Sequence, residues 1–208
     1  MKFFSRMLAG IVVLAAGFVL GVKFQARVES RSATHALIDV QKARITKLQQ
    51  DAQRLRTALL LRDYLEETRL RIPRATYQTI VDAIADSSLR YGVAPETILA
   101  VIRIESTFDV DAQSEAGAIG LMQLLPSTAE EIARELRMAW AGDETLRDPA
   151  ANIEMGTYYL TKLLGRFNDL SLALAAYNEG PGRIAGRATE SARLTTDYAR
   201  KVLGYATP

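Results

Sequence analysis

Apolar residues recur at intervals of three and four through most of this chain, but the pattern changes character twice. Residues 7–22 form an uncharged run of 16 residues rich in Leu, Val, Ala and Gly. Residues 24–72 contain neither Pro nor Gly. There Ile38, Gln41, Ile45, Leu48, Ala52, Leu55 and Leu59 alternate by three and four, a heptad seam of about three repeats that Gln41 and Ala52 weaken. Ile72-Pro73 ends the segment, because a helix is disfavoured before proline. Beyond residue 74 the periodic runs are shorter and are broken by Gly and Pro, which predicts an all-α domain. Tyr77, Ile80, Val81, Ile84 and Ser88 share one helix face that closes near Gly92. A second helix starts at Pro95, where the missing amide donor costs nothing. Residues 108–125 hold Gly117 and Gly120 without a clean period, so they read as loop or short strand. Ser127 and Glu130 have capping-box spacing and predict a helix running to about Trp140. Asp148-Pro149 opens another, with Ile153, Gly156, Leu160, Leu163 and Phe167 on one side. A short apolar helix over residues 171–177 is expected to break at Gly180-Pro181-Gly182, and a last helix carries Tyr198 and Val202.

Three parts follow: residues 1–22, 23–73 and 74–208. Lys2 and Arg6 precede the uncharged run, and no small-x-small cleavage site or cysteine follows it. Residues 3–22 therefore read as an uncleaved anchor in the inner membrane, with cleavage and release to the periplasm as the alternative. Residues 34–62 read either as a short coiled coil that joins two copies or a protein partner, or as a single charged helix folding back on the domain.

Charge sharpens this division. Residues 23–73 carry 11 Lys+Arg against 6 Asp+Glu, whereas residues 74–208 carry 13 against 18. The basic stretch suits anionic headgroups. The acidic domain does not suit nucleic acid, which calls for a basic patch. With no cysteine there is no disulfide or thiolate metal site. The single histidine, His35, excludes a Ser-His triad in the last two-thirds of the chain and argues against zinc. Asp109-x-Asp111 fails as a calcium loop, since Ser114 and Gly120 stand where Gly and Glu belong. No cofactor or metal is expected.

Chemistry concentrates around Glu105. Ile98, Val101, Ile102 and Glu105 fall at i, i+3, i+4 and i+7, so a carboxylate ends an apolar stripe. Either it is a desolvated proton donor with a raised pKa, or it ends a helix and faces water. Asp109, Asp111, Glu115 and Glu179 are the other acids nearby in the motif regions, and nothing in the spacing marks one as its partner.

Glu105-Ser106, Ser114, the run Gly117-Ala-Ile-Gly120-Leu-Met-Gln123 and Pro126-Ser-Thr-Ala resemble the signature of the soluble lytic transglycosylase catalytic domain, a relative of goose-type lysozyme. So do Asn152-Ile153 with Gly156 and Tyr159-Leu160, and then Ala176-Tyr-Asn-Glu-Gly-Pro-Gly182. The resemblance covers roughly residues 76 to 203. It implies a lysozyme-like fold and cleavage of peptidoglycan glycan strands between N-acetylmuramic acid and N-acetylglucosamine. Glu105 would serve as acid and then base, leaving a 1,6-anhydro end; the alternatives are a lysozyme-like hydrolase that uses water and a catalytically silent peptidoglycan-binding scaffold. Ser114, Gln123 and Tyr177 would hold the sugar or the acid, Asn178 and Tyr198 would bind the substrate, and Met122 would form an apolar floor for a ring. Two positions depart from the pattern. Leu194 stands where relatives often have Glu, and Glu179 where they often have a small residue.

Overall fold

The computed structural model describes the backbone of residues 2–187 and 196–206, and the side chains of residues 34–186 and 196–206. The described backbone contains α1 (Lys2–Thr68), α2 (Arg74–Tyr91), α3 (Pro95–Glu105), α4 (Pro126–Leu136), α5 (Asp143–Arg147), α6 (Pro149–Phe167), α7 (Leu170–Glu179), α8 (Pro181–Arg187) and α9 (Asp197–Ala206). The chain divides into two compact units, Met1–Gln49 and Gln50–Pro208. In the first, the described residues are all exposed, Leu37, Val40, Ile45 and Leu48 among them. Among the described residues no helix is long and apolar enough to cross a membrane. The run 7–22 lies outside the residues whose side chains are described.

The second unit is built around α3. Thr97–Ile102 is buried at every position, so this helix has a core-facing surface on nearly all sides. Packed about it are Ile80 and Ile84 of α2, Ile153 and Leu160 of α6, Leu174 of α7 and Val202 of α9. A smaller core joins Ile119 and Leu124 of the long loop to Ile132 of α4, Leu146 of α5 and Met155 of α6. Isolated antiparallel bridges, Gln113 with Ile119 and Ile119 with Leu124, give the loop after α3 its shape.

Four features depart from the sequence expectation. The compact unit begins at Gln50 rather than near residue 74, because Thr57 and Leu61 of α1 are fully buried with Tyr64 and Leu65 packed beside them. Gln53 Nε2 donates to Ser88 Oγ at 2.9 Å, Arg56 pairs with Glu96, and Tyr77 donates its hydroxyl to the Ala58 carbonyl. Second, no capping box opens α4. Pro126 takes the first helical position, which puts the cap at Leu125 and Ser127 inside the helix. Third, α4 stops at Leu136. Arg137 is left-handed at φ 56, and Met138 N–H turns back to the Ala133 carbonyl. Met138 and Trp140 then continue to cover the smaller core from outside the helix. Fourth, Gly180 ends α7, but Pro181 immediately opens α8, whose Ile184 is buried.

Candidate active site

Glu105 is the last residue of α3, half-buried at the end of the Ile98–Val101–Ile102 stripe. The chain leaves the helix through Thr107 and Phe108, both left-handed at φ 51 and 64. Such residues cost about 1–2 kcal/mol each. Burial of the Phe108 ring, worth about 2–3 kcal/mol, offsets much of that. The turn sends the loop back past the acid.

That loop is closed by its own hydrogen bonds. Ser114 N–H donates to the Ala118 carbonyl, and Ala118 N–H donates to Ser114 Oγ, each at 3.0 Å. Gln123, left-handed at φ 49, donates from Nε2 to the carbonyls of Ala112 and Gly120 at 3.1 and 2.9 Å. Gly120 has φ 81, and a Cβ there would run into the Leu146 carbonyl and the Asn152 side chain.

Asn152, which the sequence reading left without a role, organises this region. It is fully buried in α6. Its Oδ1 accepts from Met122 N–H at 2.7 Å, and its Nδ2 donates to the Ile119 and Leu146 carbonyls at 3.0 and 2.9 Å. A polar side chain inside the apolar period of a helix was the signal, since a buried amide has to find partners.

The result is an open cleft of about 310 Å³ lined by Glu105, Ser114, Ala116, Ala118, Gln123, Leu125, Tyr177 and Asn178. A second cavity of about 290 Å³ shares Gln123, Leu125, Tyr177 and Asn178, and adds Thr128, Tyr159 and Glu179. Five of the predicted residues, Glu105, Ser114, Gln123, Tyr177 and Asn178, thus meet on one surface. Met122 does not. Its side chain is fully buried against Gly156 and Thr157, so it cannot serve as a floor for a sugar. Asn152 fixes its N–H, and its carbonyl accepts the Tyr177 hydroxyl at 2.8 Å.

Tyr198 does not line the cleft. It is 9% exposed, and its hydroxyl donates to Glu105 Oε1 at 2.6 Å from α9. It contacts the acid rather than the substrate space. Burial pushes the Glu105 pKa up, and the Tyr198 hydrogen bond opposes that in part. Burial and the neighbouring Glu105 carboxylate push the Tyr198 pKa up as well, so it remains a donor. Burial likewise keeps Tyr177 protonated.

Among the described residues, Glu105 is the one carboxylate lining the larger cleft. Asp109 accepts from Asp111 N–H, and Asp111 pairs with Arg147, which also holds Gln113. Among the described residues no group of three or more His, Cys, Asp or Glu could hold a metal ion. The departure at Leu194, with Thr195 beside it, lies outside the described residues.

An all-helical fold with one half-buried acid among the described residues lining an open cleft is the lysozyme-like class of architecture. Residues 82–198, just over half of the chain, match the Transglycosylase SLT domain, and the chain belongs to that family. The soluble lytic murein transglycosylase of Salmonella typhimurium is 35% identical over 123 residues, covering 51% of this chain and 19% of that protein. Membrane-bound lytic murein transglycosylase F of Desulfosudis oleivorans is 39% identical over 121 residues, covering 55% and 24%. The crystal structure of the lytic transglycosylase Slt of Pseudomonas aeruginosa superposes with a TM-score of 0.55 at 34% identity, covering 60% of this chain and 22% of that one. The chain spans about a fifth of the length of the first of these curated relatives.

Proposed function

We propose that this chain is a peptidoglycan lytic transglycosylase that cuts the β-1,4 bond between N-acetylmuramic acid and N-acetylglucosamine. The observation that carries the reading is Glu105, an acid raised in pKa by burial and held by Tyr198 on a cleft with no other carboxylate among its described lining residues. In the first step Glu105 gives its proton to the glycosidic oxygen, and the bond from that oxygen to C1 breaks. In the second, the C6 hydroxyl of the same muramic sugar closes onto C1, and the Glu105 carboxylate takes the hydroxyl proton. The product is a 1,6-anhydro end, and no water is consumed. An intramolecular hydroxyl has a high effective concentration, which makes a second carboxylate unnecessary. Ser114, Gln123, Tyr177 and Asn178 hold the sugars from the cleft walls.

The finer reading puts residues 3–22 in the inner membrane and the compact unit in the periplasm. The uncharged run and the membrane-bound naming of several relatives support it. The exposed seam of Ile38, Ile45 and Leu48 supports a helical partner or second copy.

The test is mass spectrometry of products from purified peptidoglycan incubated with the detergent-solubilised full chain. Anhydro-muramic ends that vanish with Glu105→Gln are expected. Reducing ends instead would refute the transfer to C6 and turn attention to Glu179 as a second acid on the adjoining cavity.

A further inference from the structure

The family match begins at residue 82, yet α1 reaches the neighbourhood of the acid. Arg103, two residues before Glu105, has its guanidinium 4.5 Å from the Tyr64 ring centre and 3.7 Å from that of Tyr205. Tyr64 also meets Phe108, three residues after Glu105, with ring centres 5.0 Å apart. Tyr205 and Tyr198 belong to the same helix, α9, and Tyr198 holds the Glu105 carboxylate. One tyrosine of α1 therefore touches the chain before the acid and after it. Through Arg103 it also bears on the helix that aims the acid.

We propose that Tyr64 is a positioning residue for Glu105, acting through the Tyr64–Arg103–Tyr205 stack and the Tyr64–Phe108 contact. Neither left-handed residue of the turn at Thr107–Phe108 is a glycine, so the turn depends on the seat that buries Phe108. Tyr64 forms part of that seat. The end of α9 is fastened to α3 through the Arg103 guanidinium, which Tyr64 also contacts. Removing the ring frees both attachments together. The last turns of α1 thus help to position the acid.

The inference about rate rests on the proposed function; the inference about position does not, and the experiment separates them. Full-length Tyr64→Ala, Tyr64→Phe and Tyr205→Ala are compared with the unaltered chain. Turnover and KM are measured on peptidoglycan, and the Glu105 carboxyl is titrated by 13C NMR, using the resonance that Glu105→Gln removes. Tyr64→Ala should lower kcat about ten- to a hundredfold, with KM within about twofold. Its Glu105 midpoint should fall toward the ordinary carboxylate range, since water reaching the acid removes the main cause of its elevation. Tyr64→Phe keeps the ring and should restore both. A folded Tyr64→Ala with unchanged kcat and midpoint would overturn the proposal. If Tyr64→Ala does not fold, Tyr205→Ala decides, because Tyr205 is 49% exposed and its loss spares the core. It should shift both readings in the same direction by less, and no shift refutes the coupling. If the unaltered chain makes no anhydro product, the functional reading fails, and the titration alone then judges Tyr64.

Discussion

Replacing Tyr198 with phenylalanine removes one oxygen and leaves the ring in place. That hydroxyl lies 2.6 Å from Glu105 Oε1, a separation typical of an O–H donor on a charged carboxylate. A hydrogen bond to a charged group is worth about 1.5–3 kcal/mol, and one to a neutral group about 0.5–1.5 kcal/mol. The bond thus favours the ionised carboxylate over the neutral acid by about 1–1.5 kcal/mol, or on the order of one pH unit. Its loss raises the Glu105 pKa further, because burial then acts unopposed. The acid must be protonated to attack the glycosidic oxygen, so activity falls as pH rises through this pKa. In Tyr198→Phe the falling limb of kcat/KM against pH should move up by about one unit. The maximum should also drop about tenfold, as the carboxyl loses its aim. The assay is release of anhydro-muropeptides from purified peptidoglycan across pH 4 to 9. A limb that stays in place or moves down would refute the argument, since Tyr198 would then not be favouring the carboxylate.

Other changes test how the cleft is held. Asn152→Ala leaves the Met122 N–H and the Leu146 carbonyl without this buried partner, whereas the Ile119 carbonyl keeps the Leu124 N–H. At about 1–3 kcal/mol per orphaned group, the loss is about 2–4 kcal/mol after partial relaxation, readable as a lower urea midpoint. Gly120→Ala forces a left-handed alanine against the Leu146 carbonyl and should cost about 3 kcal/mol or more in the same assay. A chain beginning at residue 74 loses the fully buried Leu61, worth about 2–3 kcal/mol, together with the half-buried Leu60, Tyr64 and Leu65. By calorimetry it should melt at least about 5 °C below one beginning at residue 50, and equal melting temperatures would show that α1 adds nothing to the core.

These tests fall on the features that were hardest to read from the sequence. The stripe of Ile98, Val101 and Ile102 pointed to Glu105 because a helical period carries direction: residues three and four apart must share a face. The loop of residues 108–125 has no period, so nothing in it said which way Met122 faces. Its direction is decided by Asn152, thirty residues away, whose bond to the Met122 N–H turns the side chain inward and leaves the carbonyl for Tyr177. Tyr198 is 93 residues from Glu105, and no spacing rule connects them. Pro126 settled the start of α4 against a plausible Ser-x-x-Glu signal, because its fixed φ suits the first helical position, where its missing N–H costs no hydrogen bond.

The end of α1 follows the second of the two readings, a helix packed on the domain, and does so on a face that the heptad seam did not mark. Leu55 and Leu59 continue the heptad seam, yet they are 62% and 42% exposed. Thr57, Leu61, Tyr64 and Leu65 stand at i, i+4, i+7 and i+8, an equally good helical stripe, and it is this one that packs on the domain. One helix therefore carries two apolar faces, and periodicity tells that each exists without telling what covers it. The domain takes the face with Tyr64 because that face meets Leu99, Arg103 and Phe108 around one small cavity beside α3. Leu55 and Leu59 of the other seam are not among the residues lining that cavity, so a partner that covers them need not displace Tyr64. The positioning of Glu105 and the pairing of the seam would then use the same helix without competing for it.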